Sequence, residues 1–324
     1  MGRQRTRIAV FGPTESPVCR AVADALRARR AQAVLVDTRG PIPITFTEST
    51  LSIAGHSVDA LSGAYVHAIP PRQPLLRDIH EGRAPRALDV DAWQEGVARG
   101  HAARDLVVVA LDALVARGLP VVNPPQGGAV VQRKLADLAL ARALGLSVPE
   151  THVSADRRAC ARFVARVKGD GGRVVTKPVR GGAHARRADA ANGLDVPGPV
   201  LLQREVAGHD ARVLLLDGDA RDRVLLSIAM EKGRALDGRS TRAYRAGRAP
   251  WRSAALDDAT RDRLLSLLRA RGLTFAAVDG VWSPERGFVF LEMNTAPVFV
   301  ELAERCGVDV AGALADRLLS HRAP

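Results

Sequence analysis

The residues best suited to chemistry stand near the end of the sequence, where the apolar run Phe288-Val289-Phe290-Leu291 leads into Glu292-Met293-Asn294. Val and two Phe favour a buried strand. In a strand, residues two apart share a face, so the Glu292 carboxylate and the Asn294 amide emerge side by side. Upstream, Phe275-Ala276-Ala277-Val278 is a second apolar run ending in Asp279, and Ser283-Pro284-Glu285-Arg286-Gly287 between the two has turn chemistry. The pair reads as a hairpin. A register that pairs Trp282 with Val289 sets Asp279 opposite Glu292 and gathers three oxygen donors, whereas a one-residue slip separates them. Oxygen-only donors suit a hard cation, and Mg²⁺ held by one or two carboxylates takes its other ligands from water and nucleotide phosphates. The alternative is an acidic hairpin end capped by solvent.

A second candidate is Lys177, at the end of the strand-like run Arg173-Val174-Val175-Thr176-Lys177-Pro178 and shortly before Gly181-Gly182. Glycines let backbone amides approach a phosphate, and an ammonium supplies charge; a surface hairpin with a chance lysine is the alternative. Lysine is scarce here. Nearly all basic residues are arginine, and the lysines are Lys134, Lys168, Lys177 and Lys232. A chain that uses arginine for ordinary surface charge keeps lysine where a compact point charge is needed.

Several classes are excluded. No Gly-x-x-x-x-Gly-Lys-Ser/Thr stretch exists, and Gly12-Pro13 stands alone without the further glycines of a dinucleotide site. Cys19, Cys160 and Cys306 are scattered, and no His-x-x-x-His motif is present, which argues against zinc and redox chemistry and for reduced structural thiols. The net charge of +12 asks for an acidic partner. Seven Phe, three Trp and two Tyr, with arginines dispersed rather than striped, argue against nucleic acid as that partner. The apolar run Ile8 to Phe11 is too short for a signal peptide or a membrane span, so the cytoplasm is the expected compartment.

The elements that must position these residues follow from periodicity. Ile8 to Gly12, a helix from about Ser16 to Arg30 and Ala33 to Asp37 form a strand-helix-strand opening of an open α/β domain. Short strands follow, then a helix from about Val90 to Arg117 with a break expected near Gly100, and a last strand running into Asn123-Pro124-Pro125. Beyond it, Gln132 to Leu144 is an amphipathic helix with Leu135, Leu138 and Ala139 inward and Lys134 in its first turn. Val200 to Val206 is a buried strand, Gly208 to Arg212 a turn, and Val213 to Leu216 the next strand.

In this order the parts resemble the ATP-grasp ligases, and more narrowly the ribosomal-protein glutamate ligase and the graspetide (microviridin-type) peptide ligases. Val122-Asn123-Pro124-Pro125 through Lys134, Gly145-Leu146-Ser147-Val148-Pro149, and Val289-Phe290-Leu291-Glu292-Met293-Asn294 carry the resemblance. It implies an α/β fold with a pre-ATP-grasp domain over 1–122, a lid subdomain over 123–206 and a catalytic subdomain over 207–324. It further implies ATP and Mg²⁺ as cofactors. Lys134 and Lys177 would contact the phosphates, and Gln203, Arg204, Glu205 and Val206 would border the adenine. Arg212 would face the transferred phosphoryl group or the acyl phosphate, and Asp279, Glu292 and Asn294 would hold the metal. The family has an acidic residue directly after the position of Gln203, where this chain has Arg204.

The implied activity is a carboxylate ligase with an acyl-phosphate intermediate, either crosslinking an acidic peptide by ester or amide bonds or adding an amino acid or small amine to a carboxylate. A non-catalytic nucleotide- or nucleic-acid-binding protein is the third reading. The region from Glu231 to Ser253, with Arg234, Arg239, Arg242, Arg245, Arg248 and Arg252 beside Tyr244 and Trp251, is the expected grip on an acidic peptide.

Overall fold

The computed structural model of the chain describes residues 6–40, 42–69, 90–129, 133–179, 185–188, 198–217, 223–231, 236 and 251–320. The chain divides into two compact units, one of residues 1–130, 272–274 and 296–324, the other of residues 131–271 and 275–295. The second unit holds most of the two later expected segments, 123–206 and 207–324, each with its own sheet.

The first unit is built on β1 (Arg7–Gly12), α1 (Pro17–Ala28) and β2 (Gln32–Asp37). Pro17 at the start of α1 suits a position whose N–H has no intrahelical partner, and Val18, Cys19, Val22, Ala23 and Leu26 are its buried face. The strands β3 (Ile44–Phe46), β4 (Leu51–Ile53) and β5 (His56–Ser57) form a small antiparallel sheet. Then come β6 (Gly63–Val66), α2 (Val90–Ala116) and β7 (Val121–Val122). The main sheet has order β2-β1-β6-β7 and is parallel throughout. Its core joins Phe11, Val36, Ala64 and Val66 to Val107, Leu111 and Leu114 of α2. The break expected at Gly100 does not occur. A glycine inside a helix costs about 1 kcal/mol, and at buried Gly100 the packing of α2 outweighs that preference.

In the second unit, α3 (Lys134–Ala143) starts at the first expected phosphate lysine. Its buried residues are Asp137, Leu138 and Ala141, whereas Leu135 and Ala139, expected inward, are exposed. The face is rotated because Asp137 forms an ion pair with Arg271 in which both side chains are almost fully buried. Removing one partner of such a pair strands the other charge at a cost of about 3–5 kcal/mol. Arg271→Met should therefore lower the thermal midpoint far more than the Asp137→Leu/Arg271→Met double variant, as a melting series would show.

The strands β8 (Thr151–Ser154), β9 (Val174–Pro178), β10 (Arg186–Ala188) and β11 (Val200–Arg204) form an antiparallel sheet of order β10-β9-β11-β8. The helix α4 (Arg157–Gly169) packs on it through Cys160, Phe163, Val164 and Val167. A second antiparallel sheet has order β14-β13-β12-β15-β16, from β12 (His209–Leu216), β13 (Arg223–Met230), β14 (Trp251–Ser253), β15 (Phe275–Ser283) and β16 (Gly287–Asn294). Between β14 and β15 lies α5 (Asp258–Ala270), capped by Asp257 accepting from the Thr260 N–H. Residues 209–212, expected as a turn, are the first residues of β12. Pairing with β13 on one side and β15 on the other overrides their weak strand propensity.

The β15–β16 hairpin has two registers. Ser283, Trp282, Val281 and Gly280 pair with Gly287, Phe288, Val289 and Phe290, one residue off the expected register, while Asp279, Val278 and Ala277 pair with Glu292, Met293 and Asn294 as expected. A bulge that leaves Leu291 unpaired accounts for the shift. At this point a Cβ on Gly280 would lie 2.6 Å from the Val289 carbonyl oxygen and 2.7 Å from the Phe288 ring. Gly280→Ala is expected to cost about 1–3 kcal/mol and to lower both the melting point and the activity, because the bulge it distorts sets Glu292.

After Thr295 the chain returns to the first unit with α6 (Val300–Cys306) and α7 (Val310–Leu319). There α7 packs on α1, and Arg29 pairs with Asp316 at 2.5 Å. The three cysteines are unpaired. No described helix is long and apolar enough to cross a membrane.

Candidate active site

The registers of the five-stranded sheet place functional side chains in a row. Arg212 of β12 is opposite Asp279 of β15, and Asp279 is opposite Glu292 of β16. Cross-strand partners project on one face, so a guanidinium and two carboxylates stand side by side. Like charges directly opposite each other destabilise a sheet unless a cation is shared between them. Two cations flank the row here. The Lys134 ammonium lies 3.0 Å from Glu292 Oε2, and Arg212 Nε lies 3.7 Å from Asp279 Oδ1. The second contact is too long for a hydrogen bond, and among the described residues the buried Arg212 Nε has no hydrogen-bond partner. A buried guanidinium donor left open in this way suits an incoming anion.

Lys134 opens α3, where the helix dipole and unpaired N–H groups already favour negative charge, so a lysine there works against helix stability. Its placement serves the site. Lys177, at the end of β9, brings a third cation. Burial pushes its pKa below the usual lysine value, with the Lys134 ammonium adding to the effect and Glu292, Asp279 and Asp210 opposing it.

All of these groups line one open cleft within the second unit, together with Val175, Gln203, Arg204, Glu205, Val206, Asp210, Trp251 and Leu291. Every expected site residue except Asn294 is in this lining. Asn294 shares a strand face with Glu292 and lies opposite Ala277, next along the row. Among the described residues no group of three or more His, Cys, Asp or Glu could hold a metal. A pair of carboxylates is the donor set of a cation that takes its remaining ligands from phosphate and water.

Arg204 and Glu205 have other partners. The Arg204 guanidinium donates to Glu150 Oε2 at 3.1 Å and to Asp170 Oδ2 at 2.7 Å. Glu205 accepts from Arg173 at 2.9 Å and from Arg187 at 3.2 Å. Burial draws the Glu205 pKa upward, and the two arginines more than reverse this, leaving it below the usual carboxylate value. The arginine after Gln203 therefore ties the end of β11 to Glu150, just before β8, and to Asp170, the residue that caps α4. Asp210, the acidic residue of the Asp-x-Arg step that ends in Arg212, and Trp251, from the expected grip on an acidic peptide, also line the cleft. Two residues before Arg212 on β12, Asp210 shares its face. Gly181, Gly182, Arg234, Arg239, Arg242, Tyr244, Arg245 and Arg248 lie outside the described residues.

No protein-family model matches the chain, and no curated protein matches it. Solved structures do. The ATP-grasp ligase PsnB complexed with minimal precursor, Mg and ADP is 23% identical, with a TM-score of 0.78 over 99% of this chain and 98% of that one. The macrocyclase MdnC bound with precursor peptide MdnA, from Microcystis aeruginosa, is 18% identical, with a TM-score of 0.75 over 97% and 99%. D-alanyl-alanine synthetase A from Vibrio cholerae is 11% identical, with a TM-score of 0.64 over 98% and 99%. The fold shared along the whole chain is that of the ATP-grasp ligases.

Proposed function

We propose that this chain, folded as ATP-grasp ligases are, is an ATP- and Mg²⁺-dependent carboxylate ligase that crosslinks an acidic peptide through an acyl-phosphate intermediate. The observation that carries this reading is the row Arg212, Asp279 and Glu292 with Lys134 and Lys177 facing the same cleft. Asp279 and Glu292, with Asn294 next to them, would hold Mg²⁺, which when bound neutralises phosphate charge. Lys134 and Lys177 would hold the phosphates, and the segment Gln203 to Val206 would border the base.

The reaction asks for charge neutralisation and in-line positioning rather than a protein nucleophile. A substrate carboxylate oxygen attacks the γ-phosphorus and ADP leaves. An amine or hydroxyl then attacks the carbonyl carbon and inorganic phosphate departs. Arg212, with its open Nε, would stabilise the transferred group. The two sheets of the second unit would act as the lid and catalytic subdomains of the division 123–206 and 207–324. PsnB and MdnC were each solved with a precursor peptide. The acidic character of the peptide here is supported by the charge of +12, with Trp251 in the cleft lining and Arg252 beside it, paired to Glu231 at 2.7 Å.

The test is to weigh a candidate acidic peptide after incubation with enzyme, ATP and Mg²⁺. Loss of one water per bond, matched by one ADP and one phosphate, is expected. A mass gain by an added amino acid would move the activity to the glutamate-ligase type, and AMP with pyrophosphate would overturn the acyl phosphate.

A further inference from the structure

Gln203 lines the cleft and is only 2% exposed. Its Nε2 donates to Thr151 Oγ1 at 3.1 Å, and Thr151 Oγ1 donates in turn to the Pro149 carbonyl oxygen at 2.9 Å. The two side chains meet because Gln203 and Thr151 are direct partners in the β11–β8 ladder. A threonine hydroxyl has one proton. The Pro149 carbonyl can only accept, so the proton is committed there, and whatever faces the hydroxyl oxygen from Gln203 must be a donor. A flipped amide would set two acceptors against each other or break the link to Pro149. The relay thus decides which end of the amide is which: NH₂ toward Thr151, Oε1 away from it. The amide's side-chain hydrogen bond runs through Nε2, which leaves Oε1 for a donor in the cleft that Gln203 lines.

We propose that Thr151, an exposed residue outside the cleft lining, is the positioning residue for base choice: it locks the Gln203 amide so that Oε1 accepts from a 6-amino purine and opposes a 6-oxo purine. This rests on the ATP reading above and adds to it a residue that does not touch the nucleotide. A 6-oxo group presents a lone pair to Oε1, and with the relay intact the amide cannot turn to offer its NH₂ instead. With the relay removed it can.

Binding of Mg-ATP and Mg-ITP, which differ at the 6-position, should be compared by calorimetry on the intact chain and its Thr151→Val and Thr151→Ser variants. Valine keeps the shape and strand preference and removes the hydroxyl, and a melt of each variant checks the fold. The intact chain is expected to prefer ATP by about a hundredfold or more, the size of rejection a hydrogen-bonding site can impose. Thr151→Val should shrink that preference to below about tenfold by weakening ATP and strengthening ITP, and Thr151→Ser should restore it. An unchanged ratio in Thr151→Val, a collapsed ratio in Thr151→Ser, or equal binding of both nucleotides by the intact chain overturns the role of Thr151 while leaving the ligase reading in place. Failure of the intact chain to bind any Mg-nucleotide overturns that reading itself.

Discussion

Glu292→Gln is expected to lower turnover by about a thousandfold, the scale of losing one preorganised electrostatic contact, with little change in the thermal midpoint. Glutamine keeps the shape of the side chain and can still accept from Lys134, so the 3.0 Å contact to that ammonium has a successor. The loss is of charge. With Glu292 neutral, Asp279 is the one remaining carboxylate in the row, and a divalent cation held there meets the phosphates with less compensation. Steady-state kinetics over a Mg²⁺ titration, paired with a melt, separates the outcomes. A folded variant whose residual activity needs more Mg²⁺ is expected, and unchanged turnover would remove Glu292 from the metal site.

Lys177→Met is expected to act in opposite directions on stability and binding. A buried ammonium with a lowered pKa is a burden on the nucleotide-free fold. The unfolded chain binds the proton up to the ordinary lysine pKa, whereas the folded chain releases it earlier. Between those two points the unfolded state holds more protons, so nucleotide-free stability rises with pH across that window, and the rise should vanish in Lys177→Met. The variant should also melt higher than the parent at neutral pH. Its affinity for Mg-ATP should fall by about a hundredfold, the worth of a contact to a charged group. Lys177→Arg should lose affinity as well, because a planar fork does not replace a point charge in a confined site. Lys168→Arg, at an exposed position of α4, is the silent control.

The elements around the site were legible in the sequence because each rests on local signals. The hairpin was marked by two apolar runs about a turn, and Lys177 stood out through a scarcity of lysine that a count of residues reveals. What was not legible depends on contacts distant in the chain. The bulge at Leu291 arises where Gly280 lets the Val289 backbone approach, and alternation alone cannot show it. The expected slip and the expected pairing both occur, one on each side of that bulge. The inward face of α3 was misplaced because a charged residue, Asp137, takes a buried position that only its pairing with Arg271, more than a hundred residues away, makes tolerable. Arg204 departed from the family pattern at a place where the side chain belongs to a salt-bridge cluster with Glu150 and Asp170.

The central claim is that a substrate carboxylate attacks the γ-phosphorus. It is tested most directly by running the reaction with a peptide whose acidic side chains carry ¹⁸O and measuring the inorganic phosphate by mass. One ¹⁸O per phosphate, released in step with each water lost from the peptide, is the predicted result, because the attacking oxygen leaves with the phosphate. Label appearing in AMP, or peptide modified with unlabelled phosphate, would contradict the account.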